Sequence, residues 1–192
     1  MPRRTGTYVQ LDKYAKDART WCGGAAMNYL ASVELLNSGN PLLYIPAATL
    51  GHHALEMYLK AALICQGMTV FNPKMVQFLD PTVGLTEANC IWGHMLVDLA
   101  GQLSIKRNDF DLRLELGLVD FPGLSMPKTL RTGLELFDPF FSELRYPREL
   151  KKLEGVGEAE KTVLDRLVAV LRPFAGDVPS RSDGGAQHPD RV

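Results

Sequence analysis

Residues 47–63 read AATLGHHALEMYLKAAL, and the rest of the chain is best understood from this segment. It is apolar nearly all round, and a helix of that kind normally lies in the middle of a bundle. Its ionisable side chains are His52, His53, Glu56 and Lys60. The last three are spaced by three and four residues, so they share one helical face. Either Glu56 and Lys60 form a solvated pair, or Glu56 points inward and meets a partner from another helix.

The flanking sequence bounds this helix and predicts another before it. Pro46 suits the first turn of a helix, and Gly67 is placed to cap its end after about Gln66. Residues 8–36 are helical in pattern, and the turn cluster 37–41 ends them. Gly23-Gly24 is a weak point where a kink or break is expected. The expected core contacts of this first helix are Trp21, Ala25, Leu30 and Leu35.

Three further helices follow a connection rich in proline and glycine. The third covers about 91–105, and the fourth starts near Pro127, restarts at Asp138-Pro139 with Asp138 as N-cap, and ends at Tyr146-Pro147. Between them, residues 108–127 alternate weakly, which fits a short hairpin or an extended insertion. The last helix, 158–172, has one apolar stripe: Val163, Leu164, Leu167, Val168 and Leu171. The pattern predicts an all-α fold of four to five helices with a short insertion between the third and fourth.

Composition limits the domain number and the class of partner. With 192 residues, the chain is expected to form one domain over 1–174, followed by a disordered tail over 175–192 that is rich in Gly, Pro, Ser and Asp. The net charge of −1 means that a nucleic-acid site has to be a local patch. Neither a signal peptide nor a membrane-spanning segment is evident, so we expect a soluble, cytoplasmic protein without membrane contact.

Two more polar signatures complete the candidate site. His94 follows Gly93 at the start of the third helix, and Arg145-Tyr146-Pro147 closes the fourth. The ordinary roles are a helix-start or core histidine for His94, a contact to the last helical carbonyls for Arg145, and a core aromatic for Tyr146. The sharper interpretation is that Glu56 meets His94 or Arg145 inside the bundle.

Other kinds of site have little support. The sequence lacks the paired Glu-x-x-His motifs of dimetal bundles, and its three cysteines form no CxxC pair, so we expect no metal. Gly155-Val156-Gly157 does not continue into a dinucleotide fingerprint, and no P-loop occurs, so no cofactor is predicted.

The three polar segments, in this order, resemble the HEPN domain family. The matching stretches are Ala54–Ala61, Gly93-His94 and Arg145-Tyr146-Pro147, and the resemblance covers about residues 28–174. It implies an antiparallel bundle of four or five helices that commonly dimerises. Ribonuclease members of the family carry an Arg followed after four to six residues by a His. Here that spacing occurs only from Arg181 to His188, in the predicted tail.

The resemblance therefore implies a binding module without the ribonuclease motif. Such a module forms a homodimer and recognises RNA, a nucleotide or a protein partner, as in prokaryotic defence or toxin–antitoxin systems. The expected ligand-binding residues are His53, Glu56, Lys60, His94, Arg145, Tyr146 and Arg148. The alternative is a divergent, metal-independent endoribonuclease whose composite site uses His94, Arg145 and Glu56. A third alternative is a structural, partner-binding bundle without a ligand.

Overall fold

The computed structural model describes residues 17–70, 90–91, 93–142 and 157–176. Across these residues the fold is all-α, with five helices of eight residues or more, and β pairing is confined to isolated bridges. The helices are α1 (Ala18–Asn37), α2 (Tyr44–Cys65), α3 (Leu96–Lys106), α4 (Leu130–Phe137), the single turn α5 (Pro139–Ser142) and α6 (Glu158–Leu171). The predicted all-α class is confirmed for this part of the chain.

Helix α2 lies at the centre, because it contacts every one of the other five helices. Its buried residues extend around the helix and include Leu55, Leu59 and Leu63, each with no exposed surface. Pro46 lies in the first turn, as the sequence predicts. The helix ends at Cys65, and Gly67 follows with φ +78°, so its left-handed backbone ends the helix where a side chain would be strained. This central position explains why residues 47–63 are apolar nearly all round.

Helix α1 packs more closely against α2 than against any other helix. It continues through Gly23 and Gly24, so the helix does not break at this weak point. An added Cβ at Gly24 would lie 2.2 Å from Met57 Cε, so the end of the Met57 side chain on α2 occupies the space that this glycine leaves on α1. Ala25 is buried as predicted, but Leu30 is 60% exposed and is not a core residue.

The segment between α3 and α4 is irregular, yet it is attached to the core. Leu116 N donates to the Lys128 carbonyl, and Leu130 N donates to the Leu114 carbonyl, both at 2.8 Å, around a single antiparallel bridge. Leu116 and its neighbours in the segment, Phe110 and Met126, are buried. The apolar alternation therefore marks side chains that reach the core from an irregular backbone.

Helix α6 closes the core with the stripe predicted from its sequence. All five residues of that stripe are buried: Val163, Leu164, Leu167, Val168 and Leu171. Ala175, at the start of the predicted tail, is also buried, and its amide contacts the Leu171 carbonyl at 3.3 Å. Residues 1–16 and the tail from 177 onward lie outside the described residues. Among the helices that the structure describes, none is long and apolar enough to span a membrane.

Candidate functional site

The site is built around a buried carboxylate on α2. The Glu56 side chain is only 8% exposed, and that of Lys60, one turn later, is 6% exposed. Lys60 Nζ donates to Glu56 Oε1 at 2.5 Å. Lys60 Nζ also lies 5.6 Å from the centre of the Trp21 ring on α1, close enough for a cation–π contact. The pair is therefore buried between helices and is not the solvated i,i+4 pair that the spacing alone would favour.

His94 joins this carboxylate from a different part of the chain. Its Nδ1 lies 2.8 Å from Glu56 Oε1, across 38 residues of sequence. Because an ionised carboxylate only accepts hydrogen bonds, His94 Nδ1 carries the proton and donates it. The His94 side chain is 54% exposed, so its ring joins the buried carboxylate to the protein surface. This is the inward-pointing Glu56 that the sharper interpretation requires.

Two further histidines approach the second oxygen of the same carboxylate. His53 Nδ1 lies 3.5 Å from Glu56 Oε2, and the His53 side chain is 39% exposed. His52 is completely buried, and its Nε2 lies 3.8 Å from the same oxygen. The other ring nitrogen of His52, Nδ1, lies 3.0 Å from the Phe137 carbonyl and donates to it, since a carbonyl only accepts.

Burial and charge act in opposite directions on the pKa of Glu56. Burial raises it, but the charge and hydrogen bond of Lys60, together with those of His94, outweigh burial and hold the pKa below the usual value for glutamate. Glu56 is therefore ionised at neutral pH. Burial lowers the pKa of His52, and the Phe137 carbonyl and Glu56 oppose this effect only in part. His52 is thus kept neutral, as a structural hydrogen-bond donor.

This arrangement has a defined chemical capacity. The buried charges of Glu56 and Lys60 cancel, while two imidazole rings on the same carboxylate reach solvent. The Nε2 atoms of His53 and His94 lie on the sides of the rings opposite the Nδ1 atoms that face Glu56. In the neutral Nδ1–H form Nε2 is an acceptor that can take up a proton, and a ring protonated at both nitrogens can donate a hydrogen bond from Nε2 to an anionic ligand.

The structure brings together four of the predicted site residues: His53, Glu56, Lys60 and His94. The other three, Arg145, Tyr146 and Arg148, lie outside the described residues. Sequence reasoning gave no role to His52, although its position four residues before Glu56 was a usable signal. The Trp21 contact with Lys60 carried no sequence signal.

The described residues contain no group of three or more His, Cys, Asp or Glu side chains with the geometry to hold a metal ion. Near Glu56, the ammonium of Lys60 already balances the charge of the carboxylate. Comparisons with models of known protein families, with curated proteins and with solved structures found no match to this chain.

Proposed function

We propose that this chain is a HEPN-like binding module that recognises the phosphate groups of RNA or of a nucleotide. The observation that carries the proposal is the pair of half-exposed imidazoles, His53 and His94, held on one buried carboxylate. A ring protonated at both nitrogens donates a charge-assisted hydrogen bond to a phosphate, which contributes about 1.5–3 kcal/mol, so two such rings on one ligand give useful affinity.

The buried Glu56–Lys60 pair supports this proposal. Burying two charges is costly, and well-packed apolar residues are often equally stable in the same place. A role at the surface gives a reason to keep the pair, because Glu56 orients the His94 ring through its Nδ1–H and lies beside the His53 ring. The ligand then meets rings that are already oriented, and each ring donates from Nε2 when that nitrogen is protonated.

The test is RNA binding, measured by the fluorescence anisotropy of labelled single-stranded and hairpin RNA. His94→Asn keeps an amide nitrogen at the position of Nδ1, and so keeps the donor to Glu56, but it has no atom in place of Nε2. We expect His94→Asn and His53→Asn each to weaken binding about tenfold, which corresponds to about 1.4 kcal/mol. Arg113→Gln removes an exposed cation elsewhere and serves as the matched control.

The same experiment separates three outcomes. Equal binding by the wild type and both histidine variants contradicts a ligand site at these rings. Binding of free nucleotide in competition with RNA identifies the shared phosphate chemistry as the target. If the wild type binds neither, the module recognises a protein partner or serves as a structural bundle, and the phosphate proposal fails.

A second candidate is the metal-independent endoribonuclease, and the 2.8 Å contact of His94 with Glu56 favours it. A carboxylate on Nδ1 orients an imidazole so that Nε2 can act as a general base. His94 would take the proton of the RNA 2′-hydroxyl as its oxygen attacks phosphorus. The 5′-oxygen leaves with a proton from an acid, and Arg145 would stabilise the charge on the phosphate.

Cleavage of unmodified RNA in the presence of a chelator tests this candidate. It predicts products with 2′,3′-cyclic phosphate ends, and their loss in both His94→Asn and Glu56→Gln. His188→Asn, prepared in the same way, controls for a contaminating ribonuclease. Binding without cleavage by the wild type leaves the binding module as the function.

A homodimer is part of the same proposal, and it comes from the resemblance to the HEPN family. Sedimentation equilibrium tests it directly, because a dimer and a monomer of a 21.3 kDa chain differ twofold in mass. A monomer over the micromolar range contradicts the dimer and leaves the ligand site unaffected.

A further inference from the structure

The start of helix α3 is held by a carboxylate from a distant part of the chain. Met95, at the N-cap position, makes no side-chain capping hydrogen bond. Instead, Asp138 Oδ1 accepts the Leu96 amide at 2.5 Å, and Asp138 Oδ2 lies 3.4 Å from the Val97 amide. Asp138 is itself buried. The free amides at the start of a helix need such an acceptor, and a negative charge there is favourable.

The capped end of α3 also carries His94. Only Met95 separates His94 from the first helical residue, and Gly93, just before it, has φ +84°. The chain bends at His94 and then enters the helix, so the orientation of α3 determines where the His94 ring lies. The ring reaches Glu56 only when this end of α3 is close to α2.

Phe137, the residue before Asp138, attaches this part of the chain to α2. The Phe137 carbonyl accepts the hydrogen bond from His52 Nδ1, one turn before Glu56. Phe137 and Asp138 thus bond to both of the segments that bring Glu56 and His94 together. The sequence predicts Asp138 as the N-cap of its own helix, and Pro139 does begin α5, but the Asp138 side chain caps α3 instead.

We propose that Asp138 is a positioning residue for the candidate site, and that its bonds to the Leu96 and Val97 amides hold His94 on Glu56. Asp138 acts through the backbone of α3 and does not touch the ligand. The consequence for ligand binding rests on the proposed function, whereas the positioning itself does not. Burial raises the pKa of Asp138, and the two amides oppose this effect. Asp138 is thus a buried hydrogen-bond acceptor that serves α3, a helix distant from it in the sequence.

The test uses protein labelled with ¹⁵N in its four histidines, whose ring nitrogens report which atom carries the proton. In the wild type, we expect His94 in the Nδ1–H form, because Glu56 accepts that proton. Asp138→Ala leaves the α3 amides without their acceptor and should move His94 toward the Nε2–H form that predominates in unconstrained histidine. Asp138→Asn keeps an oxygen for the Leu96 amide and should retain the Nδ1–H form.

Thr129→Ala is the matched control, because the Thr129 side chain accepts the Thr132 amide and so caps the helix that it precedes, α4. It removes a helix cap of the same kind, and the His94 signals should not change. If Asp138→Ala does not fold, Asp138→Ser replaces it, since the hydroxyl of serine is too short to span both amides. If folded Asp138→Ala, or Asp138→Ser in its place, keeps His94 in the wild-type Nδ1–H form, the proposal is overturned.

The same variants separate the positioning role from the proposed function. If the site binds RNA, Asp138→Ala should weaken binding about as much as His94→Asn, and the double variant should be no weaker. If the wild type binds no RNA, the proposed function fails, and the ring signals still decide whether Asp138 positions His94.

Discussion

Glu56 is the residue on which the polar cluster depends. Its carboxylate is the common partner of Lys60, His94 and His53, on a helix whose other buried side chains are largely apolar. A buried carboxylate without partners would take up a proton, but these neighbours keep it ionised. Each substitution around Glu56 is therefore a test of charge balance as well as of packing.

Removal of Lys60 should destabilise the fold strongly. Lys60→Met keeps most of the side-chain volume but leaves the buried Glu56 charge without its shortest contact. We expect a loss of about 3 kcal/mol in the free energy of unfolding, measured by urea denaturation at pH 7. The double variant Glu56→Leu/Lys60→Met should recover most of this loss, because it removes both charges together. A loss below about 1 kcal/mol in Lys60→Met would mean that water reaches the pair.

His52 should make the fold sensitive to mild acid. Its pKa is lowered on folding, mainly by burial, so the unfolded chain takes up a proton below about pH 6.5 while the folded chain does not. Stability is therefore lost as the pH falls below that value, by up to about 1.4 kcal/mol per pH unit. Glu56 contributes its own loss only at lower pH, since its pKa is held below the usual value for glutamate.

His52→Asn isolates this effect, because its amide nitrogen can still donate to the Phe137 carbonyl but does not titrate. The difference in unfolding free energy between the two proteins should change between pH 7 and pH 5, in the direction that favours the variant at pH 5. A constant difference across this range would mean that His52 has the same pKa in the folded and unfolded states.

At the scale of the element, the helices with a single apolar stripe could be predicted best. All five stripe residues of α6 are buried, because a helix at the edge of the core has only one face to cover. For α1 the pattern predicted the buried residues less well: Ala25 is buried, but Leu30 is largely exposed. The small residues and scattered apolar side chains of α1 do not define one face, so its orientation could not be predicted from the pattern.

Two glycines give opposite predictions for the same substitution. An added Cβ at Gly133 in α4 would lie 2.8 Å from Leu116 and 2.9 Å from Leu167, both buried, whereas Gly23 in α1 has no atom within 4 Å. Gly133→Ala should destabilise the protein by about 1–3 kcal/mol through overpacking. Gly23→Ala should stabilise it by up to about 1 kcal/mol through helix propensity. Thermal unfolding of both variants is the measurement, and equal shifts in Tm would contradict the packing of α4.

Asp138 shows why connections between elements are harder to predict than the elements themselves. The pair Asp138-Pro139 is a standard helix-start signal, and Pro139 does begin α5. The side chain nevertheless caps α3, which lies 42 residues earlier in the sequence. Local sequence identifies a capping residue, but only the tertiary arrangement decides which helix receives it.

At the scale of the whole molecule, the net charge of −1 means that the proposed RNA site has to be a local patch. Arg145 and Arg148 are the two arginines among the ligand-binding residues predicted from the sequence. Their joint replacement by Gln should lower the magnitude of the slope of log K against log salt by about 1.4, for two lost phosphate contacts on single-stranded RNA. Arg113→Gln with Arg131→Gln removes the same charge elsewhere and should leave the slope unchanged. An unchanged slope in the first variant places the phosphate contacts away from these two arginines.

The sequence predicted part of the candidate site correctly. It offered an inward-facing Glu56 that meets His94 as one of two alternatives, and the structure contains that contact. The sequence alone does not choose between these two alternatives, because the burial of an i,i+4 pair depends on which neighbouring residues cover it. The contact of Trp21 with Lys60, which helps to cover the pair, has no sequence signal. The predicted participation of Arg145 lies outside the described residues and stays a prediction.

The most direct measurement follows the histidine ring signals of ¹⁵N-histidine-labelled protein while a short single-stranded RNA is added. The four histidines include two internal controls, the buried His52 and His188 of the predicted tail. We predict that the signals of His53 and His94 shift together with one saturation curve, while those of His52 and His188 stay in place. Saturable binding that leaves the His53 and His94 signals unchanged would contradict a phosphate site on Glu56.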